Sequence, residues 1–284
     1  NLKTFVANLT NMFGGIHSYI HDYIETIVVK GGITNPGHII SAGMDTEFLV
    51  NGLRIPSLKT IDLSEYDNAS GITKITTIDG AAYNDNVTTV KGSKTKDEIE
   101  IGSKNLKLVD SGKGDDKVTF TITQTKDVTV NLGAGNDTIT TTALTANKKF
   151  EISGGAGNDT FDLSAVKTDA TASKYTTITD INRGDKIKLG ATAAFEKYTA
   201  TDLDSEVSLS AAANKVLTHS NANVANKVWA FVYKNETYLV NDSDGNSSAL
   251  NANDNLVKLA GLSHFDRFDA SLDSGMLTVT NTNF

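Results

Sequence analysis

Cysteine is absent from the chain. Its absence excludes disulfide staples, thiol nucleophiles and thiolate metal sites together. Proline is almost absent, with only Pro36 and Pro56 in 284 residues, and aromatics make up 7%. Threonine, asparagine, alanine and aspartate are abundant instead, a bias that suits short strands and many turns. Basic residues number 26 against 34 acidic ones, for a net charge of −8. That balance argues against nucleic acid as a partner, because phosphate binding needs clustered Lys and Arg. An acidic surface suits cations better. No apolar run approaches the roughly 20 residues that span a bilayer. No signal peptide is visible, and a start at Asn1 without methionine reads as a piece of a longer protein or a processed product.

Catalytic patterns are missing as well. The stretch HSYIH sets His17 and His21 one helical turn apart, the spacing of zinc proteases, but Ser18 stands where the general-base Glu is needed. These read as solvated histidines, and His38, His219 and His264 are scattered. Arg183-Gly184-Asp185 spells an adhesion tripeptide, yet Gly and Asp are expected in a turn there anyway. With no nucleophile elbow, no metal triad and no carboxylate pair in an apolar setting, the sequence does not read as an enzyme.

What is present is a pattern of strands and turns. Residues 1–29 are the exception: Leu2, Phe5, Leu9, Met12, Phe13, Ile16, Ile20, Tyr23, Ile24 and Ile27 recur at helical spacing. This predicts two short amphipathic helices broken at Gly14-Gly15. From about residue 47, short alternating runs follow one another, each closed by turn residues. After about residue 176 the regularity dissolves. Residues 203–218 read as helix, and KVWAFVYKNETYLVND as a hairpin around Lys234-Asn235 with Trp229, Phe231 and Tyr233 on one face. The predicted segments are 1–46 (helices and loop), 47–175 (repeat) and 176–284 (a compact β-rich unit).

Aligning the runs by their turns exposes the repeat. DSGKGDDKV, NLGAGNDTI and SGGAGNDTF place aspartates at 116, 137 and 159. YNDNV and KTKDEI are weaker echoes that put Asp85 and Asp97 in the same setting. Each period holds two short strands, so the prediction is a parallel β-solenoid whose coils bury their apolar faces only by stacking. A phosphate-binding role is disfavoured, because the glycines lead into strands and each turn presents a carboxylate. In a solenoid, turns one coil apart sit about 4.8 Å apart. Asp116, Asp137 and Asp159 would form a column of like charge, stable with a cation between them. Calcium fits, since it takes six to eight oxygens from carboxylates and carbonyls.

GGAGNDTFD at 154–162 resembles the nonapeptide of the RTX family of calcium β-roll proteins. The resemblance implies Asp116, Asp137 and Asp159 as ligand aspartates. It implies carbonyl ligands from Ser111, Lys113 and Asp115, from Leu132, Ala134 and Asn136, and from Gly154, Ala156 and Asn158. The chain departs from that family in carrying one such turn per coil and a longer coil, which implies metal on one edge only. Ser111 and Leu132 replace the first glycine in two turns. Residues 175–284 are similar to the C-terminal regions of RTX-type proteins exported by type I secretion. Within them, NDSDGNSSALNANDNLV offers Asp242, Asp244, Asn246 and Asp254; its D-x-D-G-N portion resembles half an EF-hand loop without the closing Glu. A polar hairpin loop is the alternative there.

Together these imply a mainly β chain: a β-roll-like solenoid with short N-terminal helices and a β-rich C-terminal module. The resemblance extends to bacterial surface-layer (S-layer) proteins. It implies a structural protein, secreted to the cell surface of a Gram-negative bacterium, folding on calcium and assembling with itself into a lattice. Implied partners are further copies, the type I secretion machinery, and cell-surface polysaccharide through a part outside this chain. The alternative is the calcium and secretion module of an RTX enzyme, toxin or adhesin whose active domain lies upstream.

Overall fold

The computed structural model describes residues 4–8, 26–32, 57–67, 72–77, 86–145, 147–190, 192–199, 202–219, 226–244, 249–262 and 268–282. These are mainly strands in two mostly parallel sheets, and among the described residues the sheets do not close into a barrel. The chain divides into two compact units, residues 1–139 and 140–284. That division falls inside the 47–175 segment read from the sequence.

The first unit contains β1 (Thr4–Asn8), β2 (Thr26–Gly32), β3 (Thr60–Asp67), β4 (Thr73–Thr77), β5 (Thr89–Lys91), β6 (Asp97–Ile101), β7 (Leu108–Asp110), β8 (Lys117–Phe120) and β9 (Val128–Asn131). Strands β1 and β2 correct the helical expectation for the residues they cover; residues 9–25 lie outside the described residues. Threonine and β-branched valine and isoleucine dominate Thr26–Val29, and such residues favour the pleated surface over the helix. From β3 onward consecutive strands alternate between the sheets. β3, β5, β7 and β9 pair in parallel in one, and β4, β6 and β8 in the other. Every second side chain points inward. Ile61, Val90, Val109 and Val130 form one buried column, and Ile75, Ile99 and Val118 another. No strand buries these side chains alone; the stacked neighbours do, each fully buried aliphatic contributing about 1.5–3 kcal/mol.

The division falls within β10 (Thr138–Thr140), whose last residue opens the second unit; then come β11 (Phe150–Ser153), β12 (Thr160–Asp162), β13 (Thr176–Ile178), β14 (Lys186–Lys188) and β15 (Ala194–Lys197). After these come the helix α1 (Leu209–Leu217), β16 (Lys227–Tyr233), β17 (Glu236–Asp242), β18 (Asn255–Leu259), β19 (Phe268–Asp273) and β20 (Met276–Thr282). β11 pairs in parallel with β13, and β12 with β14. The repeat therefore continues past residue 176, where the sequence pattern had it dissolve. Its continuation is masked because the last step, Asp159 to Asp185, is 26 residues rather than 21. The predicted helix and hairpin are present. Lys234 and Asn235 hold the positive φ values, 50° and 60°, of a tight hairpin turn between antiparallel β16 and β17. Trp229, Phe231 and Tyr233 are buried with Val216, Leu217 and Leu250 in one cluster against α1. Ser208 caps that helix, its hydroxyl accepting from the Ala211 N–H.

Candidate metal centre

The glycine turns pack backbone on backbone. Gly133 has φ +100°, and a Cβ there would come within 1.9 Å of the Gly112 carbonyl oxygen. Only glycine fits such a stack. Ala134 bridges Lys113 in parallel, donating its N–H to Gly112 O and accepting from Gly114 N. This close stacking brings the turn aspartates of the first unit into line. The Asp97 N–H donates to Asp116 Oδ1 at 2.8 Å, and the Asp116 N–H to Asp137 Oδ1 at 2.7 Å. In the second unit the Asp159 N–H donates to Asp185 Oδ1 at 2.8 Å. All five aspartates are buried.

The sequence suggested that stacked carboxylates need a cation between them. The ladder supplies another source of positive charge, the backbone N–H of the equivalent aspartate one turn back. The end rungs add local donors. Asp97 takes the Ser93 N–H and hydroxyl, and Asp185 takes a second N–H from Asn182. Within the column, Asp116 Oδ2 is buried with no hydrogen-bond partner, while the nearby Ser111 hydroxyl donates to Leu132 O at 2.7 Å. Burial pushes the Asp116 carboxyl up to about 8, and the charges of Asp97 and Asp137 add to that against the Asp97 N–H bond. Burial likewise lifts Asp97 to about 7 and Asp185 to about 6.

Other turn residues named from the sequence are placed as follows. Asp115 Oδ1 accepts the Asn136 N–H at 2.7 Å on the exposed side of the turn. Gly154 and Gly155 donate their N–H groups to Asp180 at 2.8 Å, and the Ser153 hydroxyl joins them. Ala156 is exposed, and Asn158 lies over Gly184 in the 180–185 turn. Asp85 and Asn246 lie outside the described residues. Asp180 is a functional candidate that the sequence reading did not single out, and Asp185 was noticed there only within the tripeptide Arg183-Gly184-Asp185 and not as a member of the ladder. Their signal was the turn TDINRGD, whose spacing breaks the repeat.

A second carboxylate group gathers where β17 ends and β18 begins. One carboxylate oxygen from each of Asp242, Asp244 and Asp254 lies within 4.8 Å of the others. Asp242 and Asp254 are buried and Asp244 is exposed. Two backbone donors and one side chain orient the group: Ser243 N–H and Asn251 N–H donate to the two oxygens of Asp254, and the Asn253 side-chain amide donates to Asp244. Burial raises the Asp254 carboxyl to about 6, with the charges of Asp242 and Asp244 pushing the same way. Lys167 offsets part of this charge, though its Nζ is bonded to Asn255 Oδ1 and Ser243 Oγ. Three carboxylates on neighbouring strand ends form an all-oxygen set with one open side, which suits a hard divalent cation.

No protein-family model matches the chain, and no curated protein matches it.

Proposed function

We propose that this chain is a calcium-dependent structural module of a secreted surface protein, built as a β-solenoid and assembling with its own copies into a lattice. The observation that carries the reading is the convergence of Asp242, Asp244 and Asp254, two of them buried. Such a group is costly in the folded state until a cation neutralises it. Calcium would be held there by these three carboxylates, and in the turn stack by Asp116 and Asp137. The alternation of parallel strands between two sheets, stacked rung by rung, supports the solenoid.

In this reading the work of the protein is mechanical rather than catalytic. Where calcium is scarce the acidic groups repel and the fold is weak. Extracellular modules bind the ion at about 10⁻⁴–10⁻³ M, so calcium outside the cell completes folding. The test is electron microscopy of the purified chain with calcium and with chelator, alongside thermal melts. Ordered arrays and a higher melting temperature in calcium support the proposal. Dispersed particles and unchanged melts in both conditions would overturn it.

A further inference from the structure

Both sheets of the first unit carry a column of alternating charge on their outer faces. On β3, β5 and β7 the residues Asp62, Lys91 and Asp110 stand in register, with Lys91 Nζ 2.9 Å from Asp62 Oδ2. On β4, β6 and β8 the residues are Lys74, Glu98 and Lys117, with Lys74 Nζ 3.9 Å from Glu98 Oε2. Their strand neighbours Ile61, Val90, Val109, Ile75, Ile99 and Val118 are buried, so the charges face outward. The first column reads minus, plus, minus; the second reads plus, minus, plus.

The columns also match in position. Lys91 ends β5 and Glu98 lies in the first residues of β6; Asp110 ends β7 and Lys117 begins β8. Each pair flanks one turn, so both columns run along the same edge of the unit. On the second face a shallow recess of about 300 Å³ is lined by Lys74, Glu98 and Lys117, together with Ile99, Glu100 as a second carboxylate, and neighbouring threonines.

We propose that these faces are the two halves of one interface between copies of this chain. The Asp62–Lys91–Asp110 column of one copy docks on the Lys74–Glu98–Lys117 column of the next. This rests on the lattice reading above and names the surfaces that build it. A copy displaced along the sheet normal without rotation sets Asp62 against Lys74, Lys91 against Glu98, and Asp110 against Lys117. A slip of one rung sets like charges opposite, which fixes the register. The two halves are different surfaces, so the contact is heterologous. Repeated without rotation it never closes, and it builds rows rather than rings.

The test swaps one column whole: Asp62→Lys, Lys91→Glu and Asp110→Lys. Alternation within the face survives, so the ion pair in the fold is kept with its sign inverted, while docking meets like charges at every rung. Sedimentation in calcium at low salt measures association, and circular dichroism melts check the fold. The swapped chain needs a concentration about tenfold higher or more to associate. The reciprocal swap, Lys74→Glu, Glu98→Lys and Lys117→Glu, does the same and decides the matter if the first variant folds poorly. An equimolar mixture of the two variants associates again. Swapped chains that form arrays as the parent does would overturn the interface and leave the lattice reading standing. A parent chain that stays monomeric throughout would overturn both.

Discussion

Residues 86–139 and residues 226–282 are both rich in strands, yet they bury apolar surface by different means. The first region uses strands of three to five residues, such as β5, β6 and β7, stacked in parallel. Its interior is a set of mostly aliphatic columns, with Phe120 stacked on Ile101 as the exception, and each strand leans only on its neighbours. The second region uses seven-residue antiparallel strands, β16 and β17, packed with the helix α1 that precedes them. Its interior is one aromatic-rich cluster around Trp229, Phe231 and Tyr238, with Phe231 and Tyr238 stacked at 5.5 Å. Stability in the first region is a sum of rung-by-rung terms. In the second it depends on a centre to which α1, β16, β17 and β18 all contribute. The first arrangement also repeats its polar groups, which is how buried aspartates and surface charges come to stand in columns.

The contrast breaks most readily at the cluster. Phe231→Ala should cost about 3–5 kcal/mol, whereas Ile99→Val in the stack should cost about 0.5–1.5 kcal/mol. Urea denaturation measures both, and Trp229, the chain's one tryptophan, reports the second unit. Loss of the Trp229 transition with Phe231→Ala and its survival with Ile99→Val are expected. Equal effects on that transition would remove the distinction.

A smaller effect sharpens the other side of the comparison. Asp97 and Asp116 have carboxyls raised to about 7 and about 8 by burial. A group raised in the folded state contributes stability that is full below its unfolded value, about 4, and is lost as pH rises through the folded value. The metal-free chain should therefore melt higher at pH 5 than at pH 8, and Asp254 and Asp185, each raised to about 6, act in the same sense. Asp116→Asn should reduce the difference, because an amide has no charge to bury. Melts in chelator at the two pH values check this; a chain more stable at pH 8, with or without the substitution, contradicts the ladder's role.

Much of this was readable from residues alone, and the reasons are local. The hairpin at Lys234-Asn235 is written in turn chemistry within a few positions, and the helix at Leu209–Leu217 lies inside the 203–218 stretch that read as helical. The line through Asp116 and Asp137 follows from equal spacing in DSGKGDDKV and NLGAGNDTI. Strands β1 and β2 were not legible, because Phe5, Ile27 and their neighbours fit a helical period as well as a pleat and only pairing decides. Asp185 was hidden by an irregular step. The backbone N–H groups that meet the aspartates belong to residues about 20 positions away, and no local pattern states where they point.

The central claim is that the acidic groups are completed by calcium. Calorimetric titration of calcium into the chelator-stripped chain, and into Asp242→Asn with Asp254→Asn, tests it most directly. The account predicts saturable binding in the submillimolar to millimolar range for the parent chain, with at least one site lost in the variant and a higher melting temperature only where binding occurs. No saturable heat in the parent chain, or an identical isotherm in the variant, would contradict it.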